Sequence, residues 1–297
     1  MSGFLTKLII GGLTPFQAEA ERETVCGCDF APCFEEVVFA DAAASGDFWK
    51  ADKSEFLYLK TVAADTVTFQ IWRNGINVAT ASNTYGDYYA SFTNAPLYTG
   101  FVADWTKIFN ALGGGKYQIK VQISNFGQNY TLTSRTFRLY PYSAQLAQGT
   151  VRIEGYQTGN IIAANVDYSA LLDELPTGWY SSIRIPALFG QKTPTLETDE
   201  YLNSSYGVRQ NRNQVMNEYT LESKILPASV SNRITQDQIL SNSLLLTSYD
   251  LYATEIFRRK EVAPVAFSEV SHFQQMGGAK YSITFRDRTQ NVIKRNF

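Results

Sequence analysis

The strongest constraint on the fold is a set of short runs in which apolar and polar residues alternate. In "KYQIKVQIS" (116–124) every second residue is apolar, from Tyr117 to Ile123. Successive side chains of a strand point to opposite faces, so this alternation is typical of a strand with one buried face. The same pattern recurs in "EFLYLKTV" (55–62), "TVTFQIW" (66–72), "INVATAS" (76–82) and "YTLTSRTFRLY" (130–140). The chain is therefore predicted to be mainly β.

Two turns are predicted to close hairpins. Asn74-Gly75 separates two alternating runs, and both residues of this dipeptide accept the positive φ that a tight hairpin turn requires. Near the end of the chain, "YSITFRDRTQNVIKRNF" predicts a second hairpin around Asp287–Gln290. Two tyrosine-rich or proline-containing stretches, 85–100 and 187–207, are predicted to be long loops, and the second is a candidate binding element.

Two segments are predicted to be helical rather than extended. In "FVADWTKIFNAL" (101–112) the apolar residues recur every three or four positions, and Gly113-Gly114-Gly115 ends the segment. Proline is favoured at the first helical position, so Pro227 predicts a second helix over about 227–241.

These elements divide the chain into an extended N-terminal arm (1–36) and two β-sandwich-like units (37–146 and 147–297). The N-terminal arm carries apolar residues without a period that would bury them on its own unit. Exposed apolar segments of this kind usually mark contacts, so the arm is expected to be ordered by a neighbouring subunit. These residues are Phe4, Leu5, Leu8, Ile9, Ile10 and Phe16.

Composition limits the classes of partner. Charged residues are 18 % of the chain against about 25 % in an average domain, while Tyr, Phe and Trp make up 14 %. A neutral, aromatic surface of this kind suits contacts with other proteins or with sugars. The net charge of −2 argues against specific binding of nucleic acid, which needs an excess of Lys and Arg. No run approaches the roughly 20 apolar residues of a membrane span, and the N-terminus lacks a signal peptide's apolar core.

The three cysteines and the single histidine together have the donor atoms of a four-coordinate zinc site. Cys26, Cys28 and Cys33 lie together, but His272 is far away and the cysteine spacing departs from that of closed zinc sites. Thiols that pack as small apolar groups fit the pattern better, with a disulfide inside the arm as the alternative. The sequence therefore predicts no bound metal and no cofactor.

No catalytic site is predicted either. His272 stands outside any motif, and no phosphate-binding loop, dinucleotide fingerprint or nucleophile elbow is present. A pair among the 28 acidic residues could in principle cleave a glycosidic bond, but nothing in the sequence selects one. The interpretation is a protein that is not an enzyme.

Four phrases together carry a resemblance to a known class: residues 48–80 ("FWKADKSEFLYLKTVAADTVTFQIWRNGINVAT"), 149–162 ("GTVRIEGYQTGNII"), 179–194 ("WYSSIRIPALFGQKTP") and 283–297 ("ITFRDRTQNVIKRNF"). They resemble virion structural proteins of tailed phages of Bacteroidota, including the crAss-like podoviruses. The resemblance implies a β-rich part of the head-to-tail connector or upper tail. It also implies a homo-oligomeric ring that contacts portal, ring or tail proteins, with DNA passing nearby unbound. Such a protein is assembled in the cytoplasm of the host bacterium and ends in the virion.

Two alternatives stay open. A carbohydrate-binding β-sandwich of a tail fibre or adhesin would use the faces of Trp72, Tyr88, Tyr89 and Trp179. A glycan-cleaving enzyme would use two of the acidic residues. High-order cyclic symmetry would favour the ring over the fibre, since fibre tips are commonly trimers.

Overall fold

The structure is a computed structural model. It describes residues 7–8, 16–18, 34–40, 55–60, 66–80, 89–94, 98–125, 128–157, 179–202, 204–206, 208–227, 230–231, 234–239, 241, 243–249, 260–273, 278–288 and 291–294.

The strands of the described residues fall into three sheets. In chain order the strands are β1 (Lys7–Leu8), β2 (Phe16–Ala18), β3 (Glu35–Ala40), β4 (Glu55–Lys60), β5 (Thr66–Arg73), β6 (Ile76–Thr80), β7 (Tyr89–Asn94), β8 (Tyr98–Ala103), β9 (Gly115–Asn125), β10 (Gln128–Ser134), β11 (Thr136–Pro141), β12 (Thr150–Gln157), β13 (Trp179–Leu202), β14 (Val208–Ser223), β15 (Leu226–Pro227), β16 (Ser243–Ser248), β17 (Lys260–Phe273), β18 (Gly278–Asp287) and β19 (Asn291–Lys294). The helices are α1 (Trp105–Leu112), α2 (Ala144–Ala147) and a π-helical turn at Ile234–Gln238. The prediction of a mainly β chain is confirmed.

The first unit contains a four-stranded sheet, ordered β1-β4-β8-β7, and a seven-stranded sheet centred on β9. The alternating run in β9 buries Tyr117, Ile119, Val121 and Ile123 completely. Helix α1 lies on this core through Trp105, whose ring centroid is 4.8 Å from that of Phe137. The alternation in the sequence thus identified the buried face of the central strand.

The stretch 130–140 is two strands rather than one. β10 and β11 pair with successive parts of the same edge of β9, and the chain breaks its regular pairing at Arg135. At the break, the backbone N–H of Ile119 donates to Oγ of Ser134 at 2.8 Å. The serine hydroxyl therefore replaces a backbone acceptor, because a buried N–H without a partner is costly. After the break, β11 also pairs in parallel with β3.

The predicted Asn74-Gly75 hairpin is confirmed. Both residues have positive φ, 49° and 83°, and β5 pairs with β6 across them. The predicted helix 101–112 begins later, at Trp105, because residues 98–103 form β8. Asp104 caps the helix by accepting from the backbone N–H of Lys107 at 3.0 Å. The predicted loop at 85–100 is wrong in part, since β7 and β8 pair with one another there.

The second unit is one eight-stranded antiparallel sheet that closes on itself. Its strands run β15-β18-β17-β16-β12-β13-β14-β19, and β14 also pairs with β18. Six strands therefore form a ring whose walls pack on a common core, as the layers of a sandwich do. This core contains Val151, Ile153, Ile183, Ile185, Leu221, Leu244, Leu246, Val262, Ile283 and Phe285, with Val230 and Ile234 from the helical segment.

Two predictions for this unit are corrected. Pro227 does not start a helix but pairs with Gly278 in β15, and the helical residues begin at 230. The terminal segment is not a hairpin: β18 and β19 both run antiparallel to β14 along one edge, so the chain does not reverse near 287–290. The alternating residues on each side of Asp287 do form two strands, but both strands run in the same direction.

The predicted boundary at 36/37 falls inside β3, which is buried from Val38 to Ala40. The described parts of the N-terminal arm, β1 and β2, pair with β4 and β10 of the same chain. None of the helices in the described residues is long and apolar enough to cross a membrane.

Candidate assembly surface

The most prominent feature outside the cores is a long β-ribbon formed by the outer halves of β13 and β14. We use "the ribbon" for residues 192–202 and 208–217, whose pairs with one another run from Pro194–Asn217 outward to Leu202–Val208. At a rise of about 3.3 Å per residue, the ribbon reaches about 30 Å from its base. The sequence predicted a loop over 187–207, and that prediction is wrong. Residues 192–196 lack an alternation of apolar and polar side chains because both faces of β13 are exposed there, so the usual strand signal is missing.

A bulge at the base of the ribbon separates it from the closed sheet. The register of β13 against β14 shifts between Phe189 and Lys192. Gly190 lies within this shift, and a Cβ there would approach the carbonyl oxygen of Thr220 to 2.7 Å. A side chain at this position would collide with backbone, so the close crossing requires glycine. Bulges bend the strand that carries them, and this one marks the point where the core ends.

Beyond the bulge, consecutive side chains are exposed. Residues 192–196 are all exposed, and Leu196 keeps 63 % of its surface accessible. At the base of the same strand, by contrast, Ile183 and Ile185 are completely buried. Since neighbouring residues of a strand face opposite ways, five exposed positions in a row mean that both faces of β13 are open over residues 192–196, whereas Met216 on the partner strand is buried.

The tip of the ribbon presents an aromatic side chain. Tyr206 is 88 % exposed and has a φ of 61°, a conformation that non-glycine residues adopt rarely. Ser204 and Ser205 beside it are also exposed. Strained residues and exposed aromatic residues both concentrate at contact sites. The tip therefore has the chemistry of a protein contact.

The inner half of β13 anchors the ribbon to the first unit through Arg184. This side chain is 2 % exposed and extends away from the core of the closed sheet. Its guanidinium donates to the carbonyl oxygen of Val37 at 3.0 Å and to the hydroxyl of Tyr249 at 3.0 Å. It also lies between two rings, 4.6 Å from the centroid of Phe39 and 4.4 Å from that of Tyr249. One arginine thus links β3 of the first unit to two parts of the second.

Charged residues form a buried layer around Arg184. Arg152, its register partner on β12, pairs with Glu154 at 2.8 Å, and both are almost completely buried. The Glu36 carboxylate accepts the backbone N–H of Arg184 at 2.7 Å and pairs with Arg135. Such a layer is costly to desolvate, so it stabilises the junction only while every member keeps its partner.

A cleft of about 300 Å³ lies beside this layer. Its charged groups, Glu35 and Arg184, are engaged in contacts within the chain. Glu35 pairs with Arg138 and, at 3.0 Å, with Lys116. The cleft therefore lacks a charged group available for acid–base chemistry. Its lining consists of Phe34, Glu35, Val37, Thr150, Arg184, Ile185, Pro186, Ile225 and Pro227.

The ion pairs of Glu35 predict that the stability of the fold depends on pH. Partial burial on its own raises the pKa of this carboxyl, but hydrogen bonds and charge attraction from Lys116 and Arg138 outweigh it and lower the pKa. Because the pKa is lower in the folded protein, the ion pairs stabilise the fold at pH values above the pKa of the unfolded carboxyl. This contribution disappears as the pH falls through the pKa of the folded carboxyl.

Glu35→Gln is accordingly expected to lower the free energy of unfolding by up to about 1 kcal/mol at pH 7, because half-exposed pairs contribute little. The difference from wild type is expected to shrink as the pH falls through the lowered pKa of the folded carboxyl, because the carboxyl is then protonated in both states. Urea titrations at several pH values would measure this. A difference that does not decrease as the pH is lowered would contradict it.

Of the residues considered as sites in the sequence, Trp72 is the one whose side chain the structure describes. Trp72 is half-buried, and the ammonium of Lys120 lies 4.1 Å from its ring centroid, so one face is covered. The side chains of Tyr88, Tyr89, Trp179 and His272 lie outside the described residues, as do Cys26, Cys28 and Cys33. In the part of the chain that the structure describes, no three His, Cys, Asp or Glu residues are placed to hold a metal ion.

Comparison with known proteins adds no relative to these observations: neither a protein family nor a curated protein sequence matches the chain.

Proposed function

We propose that this chain is a non-enzymatic structural protein of a bacteriophage virion, which forms a ring in the head-to-tail connector or upper tail. The observation that carries the proposal is the ribbon, a long projecting element in which residues 192–196 of β13 are exposed on both faces. β19 pairs with the ribbon at residues 212–215, and a hairpin of two strands is only marginally stable by itself in water. A neighbouring subunit that covers the ribbon would stabilise it further.

The attachment of the ribbon supports the same function. β13 runs from the buried layer around Arg184 through the bulge at Gly190 into the ribbon, so one strand connects the junction of the two units to the projection. A ring is built by one interface repeated until it closes, which requires contact surfaces held at a fixed angle. A rigid base and an exposed projection meet this requirement.

The character of the surface also agrees with a structural role. The net charge of −2 lets DNA pass through a ring without a strong hold on its phosphates. The charged groups at the described cleft are paired within the chain, which favours a role in holding neighbours over a role in catalysis.

The assembly state of the purified chain tests this proposal. Native mass spectrometry and negative-stain microscopy are expected to give closed rings with high-order cyclic symmetry, at multiples of 33.3 kDa. A trimer that binds glycans on an array would instead favour the tail-fibre alternative. A chain that stays monomeric at all concentrations would overturn the proposal.

A further inference from the structure

The tip of the ribbon presents a large side chain in a backbone conformation that does not favour one. Tyr206 is 88 % exposed, and its φ of 61° is a value that glycine adopts readily and bulky residues adopt rarely. A tyrosine at this position therefore lowers the stability of the free chain, and a contact that buries its ring would offset this loss. The tip thus has the properties of an anchor for another surface.

The cleft beside the buried layer around Arg184 is a hole of matching character, and we call it the junction cleft. Its volume of about 300 Å³ lies at the lower end of the range for ligand pockets, about 300–1,000 Å³, and suits a single inserted side chain. Arg184 holds the sides of the cleft together, because its guanidinium donates to the carbonyl oxygen of Val37 at 3.0 Å. The cleft is therefore already formed in the single chain. Its apolar lining residues are Phe34, Val37, Ile185, Pro186, Ile225 and Pro227.

The tip cannot enter the junction cleft of its own chain. Pro186 lines the cleft and Leu202 precedes the tip, and both belong to strand β13. At a rise of about 3.3 Å per residue, the part of β13 between them extends up to about 50 Å. β13 pairs with β14 on both sides of the bulge at Gly190, so the strand stays extended over this distance. Tyr206 can therefore reach only the cleft of another copy.

We propose that Tyr206 of one copy inserts its ring into the junction cleft of the next copy. The inference rests on the proposed ring and names the contact that builds it. An aromatic anchor in a well-packed pocket is the usual energetic centre of a protein interface. Glu35, a lining residue with a side chain that is 25 % exposed, supplies an acceptor for the tyrosine hydroxyl. Because tip and cleft are different surfaces, the contact is head-to-tail, the kind that closes into rings.

Variants of the tip and of the cleft test this contact. Tyr206→Gly removes the ring and keeps the left-handed backbone, whereas Ile225→Asp places a charge among the apolar walls of the cleft. Each variant alone is expected to assemble at least about tenfold more weakly than wild type. Tyr206→Phe keeps the ring and is expected to lose less than about tenfold. The matched control is Ile76→Asp in the β5–β6 hairpin, where the side chain is 69 % exposed, and it is expected to assemble as wild type does.

A mixture of the two variants distinguishes a head-to-tail contact from a general loss of stickiness. The Tyr206→Gly chain keeps an intact cleft and the Ile225→Asp chain keeps an intact tip, so one productive contact can form between them. An equimolar mixture is therefore expected to form one-to-one dimers that cannot close into a ring. Mass photometry and native mass spectrometry of the full chains would measure these species, with circular dichroism to verify folding. Pro227→Asp serves as the cleft variant if Ile225→Asp does not fold.

The other outcomes separate the contact from the ring. Rings of wild-type size from Tyr206→Gly would reject the contact while the ring itself stands, and so would an equal loss of assembly in Ile76→Asp. A mixture without dimers, although both chains are folded, overturns the contact as well. If wild type forms dimers that Tyr206→Gly converts to monomers, the contact is right and the proposed ring fails. If wild type stays monomeric, both fail.

Discussion

Replacing Arg184 with leucine is expected to lower the free energy of unfolding by about 3 kcal/mol or more. The substitution leaves the carbonyl of Val37 and the hydroxyl of Tyr249 without their buried donor, and each such loss costs about 1–3 kcal/mol. It also removes the cation that lies between the rings of Phe39 and Tyr249, a contribution of about 2 kcal/mol when desolvated. Urea or guanidinium denaturation of the purified variant would measure the loss.

The matched control is Arg288→Leu. Arg288 also contacts a carboxylate, with its Nη1 2.7 Å from Glu261, but its side chain is 49 % exposed. An exposed pair contributes between zero and about 1 kcal/mol, so the control is expected to remain close to wild type. Equal losses in the two variants would show that the buried layer does not stabilise the junction.

Removal of the ribbon is expected to abolish ring assembly while the rest of the chain stays folded. In this variant, residues 196–215 are replaced by Asn-Gly, the dipeptide that already closes the β5–β6 hairpin. The truncation keeps Met216 and the core contacts of Tyr219, and it removes residues 196–202 of β13, the tip, and the part of β14 with which β19 pairs. Sedimentation velocity should give a monomer where wild type gives a ring.

The melting temperature of the truncated monomer distinguishes an assembly element from a core element. Since the described side chains that the truncation removes, such as Leu196, Tyr206 and Val215, are exposed, the melting temperature is expected to change by only a few degrees. A matched control replaces only the tip, Tyr206→Ser, and is expected to weaken assembly without changing the fold. A truncated chain that still forms rings would place the interface elsewhere.

Local chemistry explains why several elements could be predicted from the sequence. Asn74-Gly75 supplies the two positive φ values of its turn, and the alternation in β9 gives its buried face directly. Asp104 and Gly113 bound α1, because a capping carboxylate and a left-handed glycine act within one turn of the helix. In each case the residues that decide the structure are close neighbours in the chain.

Long-range pairing decided the rest. No local pattern in the sequence indicated that β18 and β19 both pair with one edge of β14, because the partner residues are about 70 positions away in the chain. Residues 192–196 were not predicted to be a strand because a strand that is exposed on both faces has no buried side and therefore no alternation. The charged layer around Arg184 could not be predicted from the sequence either. Arg152, Glu154 and Arg184 become buried only when β12 and β13 pair and the first unit packs against the junction. The sequence by itself determined that the chain is mainly β and where its local turns and caps lie. The tertiary structure alone decided which strand projects, since that depends on where the core ends.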